Sequence, residues 1–251
     1  MALKYQGSVR IGTSNVTVPG NKSSFPEAFR QRSRLYYYSH IFNTIEVNSS
    51  FYKTPRLSTY EKWGEEVRED FQFSIKLSKS VTHVKELHPD QAGINQFMTA
   101  AGGLGKKKGC LLVQFPGKIN LDDYGKVESI LEELNKSDPQ QQWRKAVEFR
   151  HPSWYTGETY ELLEEYSASM VLHDIPKARM MEFNGKASFV YIRFHGPKGD
   201  YRGSYSDDVL KARAEQVNEW VIKGKDVYAY FNNTAGSAFD NAIYLQTLLK
   251  K

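Results

Sequence analysis

Polar residues recur two positions apart at the ends of apolar runs in this 251-residue chain. "KAVEFRH" (145–151) carries Glu148 and Arg150, and "NTIEVNSSFY" (43–52) carries Glu46 and Asn48. "SFVYIRFHG" (188–196) carries Arg193 and His195, and "DVYAYFNN" (226–233) carries Tyr230 and Asn232. Side chains two apart on a strand share a face. Each polar pair therefore lies opposite an apolar one: Val147 and Phe149, Ile45 and Val47, Ile192 and Phe194, Ala229 and Phe231. Unpaired charge inside an apolar element is costly, so the same offset in four runs points to one shared pocket. Carboxylates can position guanidinium groups, and guanidinium groups bind phosphate or carboxylate through paired donors. On this reading Glu46 and Glu148 orient Arg150 and Arg193, which hold an anion. His195 or His173 moves a proton near neutral pH, with a glutamate as partner. The catalytic candidates are Glu46, Glu148, His173 and His195. The substrate-binding candidates are Asn48, Lys76, Arg150, Arg193, Tyr230 and Asn232.

Glu46, Glu148, His173, Asp174 and His195 also have the chemistry to hold a divalent cation. Their spacing matches no local metal motif, and the neighbouring arginines would repel a cation. No metal residue is assigned and no cofactor is expected. Cys110 is the single cysteine, which excludes an internal disulfide and a multi-cysteine metal site. It opens its strand, at the wrong end for a nucleophile in the architecture derived next.

Eight strand-like runs must position these residues: 8–12, 43–52, 71–78, 109–116, 145–151, 168–174, 188–196 and 226–233. Helical patterns lie between most of them, at 25–42, 57–67, 121–137, 157–167 and 204–225, with a last one at 237–251. Ser58 with Glu61 reads as a capping box, and Ser206 as a helix cap. "IPKARMMEFNGKA" (175–187) is too short for a full helix, so a loop or single turn is expected between strands six and seven. Alternating strands and helices imply a parallel sheet. Eight units in this length give an α/β fold, a single (β/α)8 TIM-type barrel over residues 1–251. An open doubly wound sheet fits less well: no G-x-G-x-x-G follows the first strand, and "GGLGKKKG" (102–109) fails the P-loop pattern.

Barrel chemistry sits at the C-terminal strand ends. Lys106, Lys107 and Lys108 enter strand four from the opposite end and read as a solvated turn. At the active end, cations including Lys53, Lys79, Arg150 and Arg193 outnumber Glu46, Glu148, Asp174 and Asp200. The loops after strands seven and eight, with Lys198, Arg202 and a helix start near Ser237, suit a phosphate. The chain carries a formal charge of +5 and a pI near 9.0, which fits a phosphorylated ligand or nucleic acid. No apolar window is long enough to span a membrane. The opening "MALKYQGSVRIGTS" has no apolar signal core, so a cytoplasmic protein is expected.

At these residues the chain resembles the YecE-like family, domain of unknown function 72. The similarity runs in order through "IGTS" (11–14), "FNTIEVNSSFYKTP" (42–55), "FQFSIKLSKSVTH" (71–83) and "LLVQFP" (111–116). It continues through "AVEFRHPSW" (146–154), "YIRFHG" (191–196), "YSDD" (205–208) and "VYAYFNNTAGSAFDNA" (227–242). The resemblance implies a TIM barrel and supplies no reaction. It places Glu46, Asn48, Lys76, His83, Glu148, Arg150, His151, Arg193, His195, Asn232 and Asn233 on family motifs. The family's opening usually reads GTSGW, whereas Asn15 and Val16 follow Ser14 here. Three functions stay open. They are an enzyme, of hydrolase or phosphate-ester type, acting on a small anionic or phosphorylated substrate; a metal-dependent nucleic-acid phosphodiesterase; and a non-catalytic nucleic-acid binder.

Overall fold

Residues 6–88 and 90–249 are described by the computed structural model. Eight strands run β1 Val9–Thr13, β2 Thr44–Val47, β3 Gln72–Lys76, β4 Lys108–Gln114, β5 Arg144–Glu148, β6 Ala168–His173, β7 Phe189–Phe194 and β8 Asp226–Phe231. The helices are α1 Arg34–Ile41, α2 Ser49–Tyr52, α3 Leu57–Glu66, α4 Lys79–Thr82 and α5 Gln91–Ala101. They continue with α6 Tyr124–Ser137, α7 Gly157–Glu165, α8 Asp207–Ile222 and α9 Ala238–Leu249. All neighbouring strands pair in parallel, in the order β1-β8-β7-β6-β5-β4-β3-β2. This is the expected TIM-type barrel.

The seam between β1 and β2 closes by other means than a full ladder. Ser14 bridges Glu46, and Asn15 N donates to Glu46 O at 2.7 Å. The buried Tyr38 hydroxyl stands between the strands: it accepts from Thr13 N at 2.7 Å and donates to Thr44 O at 3.2 Å. A Cβ on Gly12 would collide with Thr44 O and this hydroxyl, so only glycine admits so close an approach.

Alternation along the strands separates two cores. Ile45, Val47, Val147, Phe149, Ile192, Phe194, Ala229 and Phe231 face outward into the layer between sheet and helices. Inside the barrel lies a second cluster, including Leu112, Phe189, Tyr191, Tyr228 and Tyr230. Buried tyrosines need partners, and Tyr230 Oη meets Thr44 Oγ1 at 2.6 Å and Ser74 Oγ at 2.7 Å.

Several boundaries differ from expectation. The second strand stops at Val47, because Asn48 already has helical dihedrals (φ −89°, ψ −15°) and leads into α2. The fifth stops at Glu148, leaving Arg150 in the turn beyond it. No capping box forms at α3: Arg56 occupies the cap and no side chain caps the helix, with Ser58 already inside it. Ser206 does occupy the cap position of α8, without a side-chain bond. Between β3 and β4 lies α5, capped by Asp90 through Gly93 N and burying Ile94, Phe97 and Met98. Sequence periodicity left that segment unassigned. Between β6 and β7 the expected irregular link holds: a single 3-10 turn, Pro176–Ala178, and a His173–Met180 bridge replace a helix. That gap opens a cavity of about 420 Å³ on the outer face of the barrel, lined by Asp174, Arg179, Tyr205 and Arg213 among others.

Candidate functional site

Above the tyrosine layer the lumen holds a fully buried charge cluster. Arg193 of β7 donates from Nε to Glu46 Oε2 at 2.9 Å and from Nη2 to Glu46 Oε1 at 2.8 Å, a bidentate pair. Its Nη1 donates to Glu148 Oε2 at 2.6 Å and lies 3.3 Å from His195 Nε2. Ser14 Oγ and Tyr191 Oη donate to the two oxygens of Glu46, at 2.6 and 2.7 Å. The other oxygen of Glu148 accepts from Arg150 Nε at 2.8 Å. Burial alone would raise both carboxyl pKa values. The Arg193 charge and these donors outweigh it, holding Glu46 below the ordinary range and Glu148 well below it. Both glutamates are therefore anions whose charge is already met.

Arg150 lies one layer above Glu148, with its side chain 24% exposed against 0% for the glutamate. It borders a cavity of about 430 Å³ at the C-terminal mouth of the barrel. Every strand end except that of β6 contributes to its lining: Asn15 after β1, Asn48, Phe51 and Tyr52 after β2, Lys76 of β3, Gln114 of β4, Arg150 after β5, Arg193 and Tyr201 of β7 and its loop, and Asn232 after β8. His83 completes the wall. Lys76 Nζ donates to Gln114 Oε1 at 2.8 Å and lies 4.1 Å from the Phe51 ring centroid. Gln114 Nε2 lies 3.5 Å from His83 Nε2, while His83 Nδ1 meets Thr82 Oγ1 at 2.8 Å. Burial, then the charges of Lys76 and Arg150, press the His83 pKa down to about 4. It is a neutral imidazole near pH 7.

The structure thus brings Asn48, Lys76, Arg150, Arg193 and Asn232 to one cavity, with Glu46 and Glu148 beneath. Other candidates go elsewhere. Tyr230 spends its hydroxyl inside the lumen on Thr44 and Ser74. His173 Nε2 lies 3.0 Å from Phe149 O, so its ring faces backbone and the outer cavity. His195 is buried: its Nε2 accepts from Arg193, and its Nδ1 stands 3.5 Å from Asp174 Oδ1, long for a hydrogen bond. Burial lowers the pKa of both histidines, keeping them neutral. Lys198 and Arg202 are exposed and outside the cavity wall. The amides near Ser237 that a phosphate would use are already bonded: Ala235 N to Tyr201 O, Gly236 N to Asn233 O and Ser237 N to Gly203 O. Asn233 pins the same two loops, through Gly203 O and Asn241 Oδ1.

Sequence reasoning gave Asn15, Phe51, Tyr52 and Tyr201 no place in the cavity, reached His83 only through a family motif, and took Gln114 no further than the polar end of its strand. Gln114 carried a signal, a lone amide ending the apolar run "LLVQF". Tyr201 carried none, since a left-handed backbone (φ 65°) at Tyr201 itself swings its ring into the mouth. Among the described residues no group of three His, Cys, Asp or Glu side chains is arranged to hold a metal ion. No helix among them is long and apolar enough to cross a membrane.

Known proteins agree with this frame. UPF0759 protein YunF of Bacillus subtilis is 25% identical, with 90% of each chain covered. A DUF72 family protein (EF0366) from Enterococcus faecalis V583 superposes with a TM-score of 0.79 at 21% identity, covering 99% of this chain and 100% of that one. A sugar phosphate isomerase/epimerase from Parabacteroides distasonis shares the barrel at a TM-score of 0.51 and 11% identity, over 98% and 96% of the two chains. The chain matches "Protein of unknown function DUF72" over residues 10–251, and it belongs to that family.

Proposed function

We propose that the barrel mouth binds a small anionic substrate, bearing phosphate or carboxylate, and is the chamber of an enzyme. One observation carries the reading: the mouth presents the Arg150 guanidinium beside the Lys76 amine, and no competing anion. Glu46 and Glu148 are turned to Arg193 and to Arg150 Nε. That leaves Arg150 Nη1 and Nη2 without a bond to any described residue, beside Lys76. A phosphate or carboxylate fits this fork, and the guanidinium supplies charge-assisted bonds. Asn48, Asn232 and Tyr201 offer donors and acceptors for hydroxyl groups of the same molecule, while the Gln114 amide is taken up by Lys76, Phe115 O and His83. Arg193 has four of its five N–H groups engaged, so it sets the electrostatics of the floor while Arg150 makes the contact.

Calorimetric titration with phosphorylated sugars, 2-oxo acids and their neutral analogues tests this. The anionic compounds should bind and the neutral ones should not. Arg150→Ala should weaken binding by roughly ten- to a hundredfold, the worth of a lost charged hydrogen bond, while Lys198→Ala and Arg202→Ala behave as wild type. Equal binding of neutral analogues, or an unchanged Arg150→Ala variant, rejects the reading. A second reading, nucleic acid at the same mouth, is favoured by Tyr52, which is 71% exposed with Lys79 Nζ 5.8 Å from its ring centroid. Binding of single strands that weakens steeply with salt would support it.

A further inference from the structure

We propose that Lys76 is a nucleophile that forms an imine with the carbonyl carbon of an anionic aldehyde or ketone held in the mouth. The inference deepens the small-anion reading above and rests on it for the anion, not for the amine. Lys76 ends β3, at the face of the barrel where chemistry is done, and its Nζ borders the cavity. Only 9% of the residue is exposed. A buried lysine is ordinarily paired with a carboxylate. Among the described residues none lies within 4 Å of Lys76 Nζ. Its partner is the neutral amide of Gln114, which fixes the amine without holding a proton on it. Glu46 and Glu148, the two carboxylates of the floor, are clamped by the arginines.

The charges around the amine work in one net direction. Burial, then Arg193 and Arg150, disfavour the ammonium form, and Glu148 and Glu46 oppose them less strongly, bringing Lys76 from 10.5 to about 7. The neutral ring of His83 adds no positive charge. A lysine made nucleophilic by burial and a neighbouring cation is the requirement for imine chemistry. Lys145 shows the contrast: it is 3% exposed but near the start of β5, at the opposite end of the barrel.

The step balances without oxidant or reductant. The amine lone pair forms a C–N bond to the carbonyl carbon, and the C=O π pair moves to oxygen. One proton passes from nitrogen to that oxygen, a second comes from solvent at the open mouth, and water departs. The nitrogen pair then closes the C=N bond of an iminium ion. That ion can accept the electron pair of a bond broken at the adjacent carbon. Arg150 would hold the carboxylate or phosphate of the same molecule. A cavity of about 430 Å³ suits a small metabolite.

Borohydride trapping on the full chain tests the proposal, using glyoxylate, pyruvate and dihydroxyacetone phosphate, with glyceraldehyde as the neutral control. Intact mass and peptide mapping should show one adduct per chain on the peptide holding Lys76. It should be absent in Lys76→Met and Lys76→Arg, and unchanged in the surface variant Lys106→Met. The wild-type trapping rate should reach half its maximum near pH 7. Adducts scattered over surface lysines, or a half-maximum near 10.5, overturn the proposal, whether or not Lys76→Met folds. Anion binding by calorimetry with no Lys76 adduct overturns the imine and leaves the anion site standing. A Lys76 adduct formed equally by glyceraldehyde and unaffected by Arg150→Ala upholds the imine and removes the anion.

Discussion

Arg193 is the residue around which the site is built. Taking three charges out of water is expensive, and good geometry repays it only in part. The arrangement therefore serves position more than stability: Glu148, gripped by Arg193, in turn holds Arg150 Nε, which aims the rest of that guanidinium outward. Removing the cation leaves Glu46 buried with no charged partner and Glu148 held by Arg150 alone. Arg193→Met should cost about 3–5 kcal/mol by denaturant unfolding. Glu148→Gln should cost less, about 1–3 kcal/mol, because Glu46 still pairs with Arg193 through two bonds. The triple variant with Glu46→Gln and Glu148→Gln should recover part of the Arg193→Met loss, since it removes the orphaned charge of Glu46 and the half-compensated one of Glu148. If the triple variant is less stable than Arg193→Met alone, electrostatic compensation is not what the cluster provides. Period-two alternation made the shared face of Glu46, Glu148, Arg150 and Arg193 legible in the sequence. It could not say which guanidinium each carboxylate would take, because that depends on side-chain reach across the lumen. Nor could it tell that His195 would serve Arg193 while His83, on a segment with no alternation, reached the cavity.

At the scale of elements, strand number, order and direction were legible, since a buried parallel strand must be apolar and each helix must cover it. Strand ends were not, because the chain turns into α2 at Asn48 while keeping a polar residue at the lumen mouth. The seam between β1 and β2 was equally hidden. It depends on one tyrosine from α1 replacing part of a ladder, an arrangement no local pattern announces. Tyr38→Phe keeps the ring and deletes the hydroxyl, so Thr13 N–H and Thr44 C=O each lose a buried partner. Such a loss costs about 1–3 kcal/mol. The variant should unfold at lower denaturant, and amide exchange should accelerate at Thr13 while β5 and β6 stay protected. Unchanged exchange at Thr13 would mean that the hydroxyl does not hold the seam.

For the whole molecule, the displaced protonation equilibria of the site act together on stability. Glu46 and Glu148 have folded-state values below the ordinary 4.5, and Asp174 lies below its 3.8. Their stabilisation is present above those ordinary values and is lost as pH falls toward the folded ones. His83, His173 and His195 lie below the ordinary 6.5. The unfolded chain thus binds their protons first, and stability begins to fall once pH drops through about 6.5. Lys76, about 7 against 10.5, has the same sign in a higher window: the folded state is disfavoured progressively as pH falls from 10.5 toward 7. No group of the cluster offsets this trend in acid. Urea midpoints measured from pH 9 to pH 4 should decline throughout, with a step below about 6.5 and a steeper one below 4.5. In Lys76→Met the decline between pH 9 and pH 7 should flatten, and the variant should gain roughly 1–2 kcal/mol at pH 7, as expected when a stability-costly functional group is removed. A Lys76→Met protein no more stable than wild type at pH 7 would show that its ammonium is well accommodated, and the mouth would then be a binding site with two permanent cations.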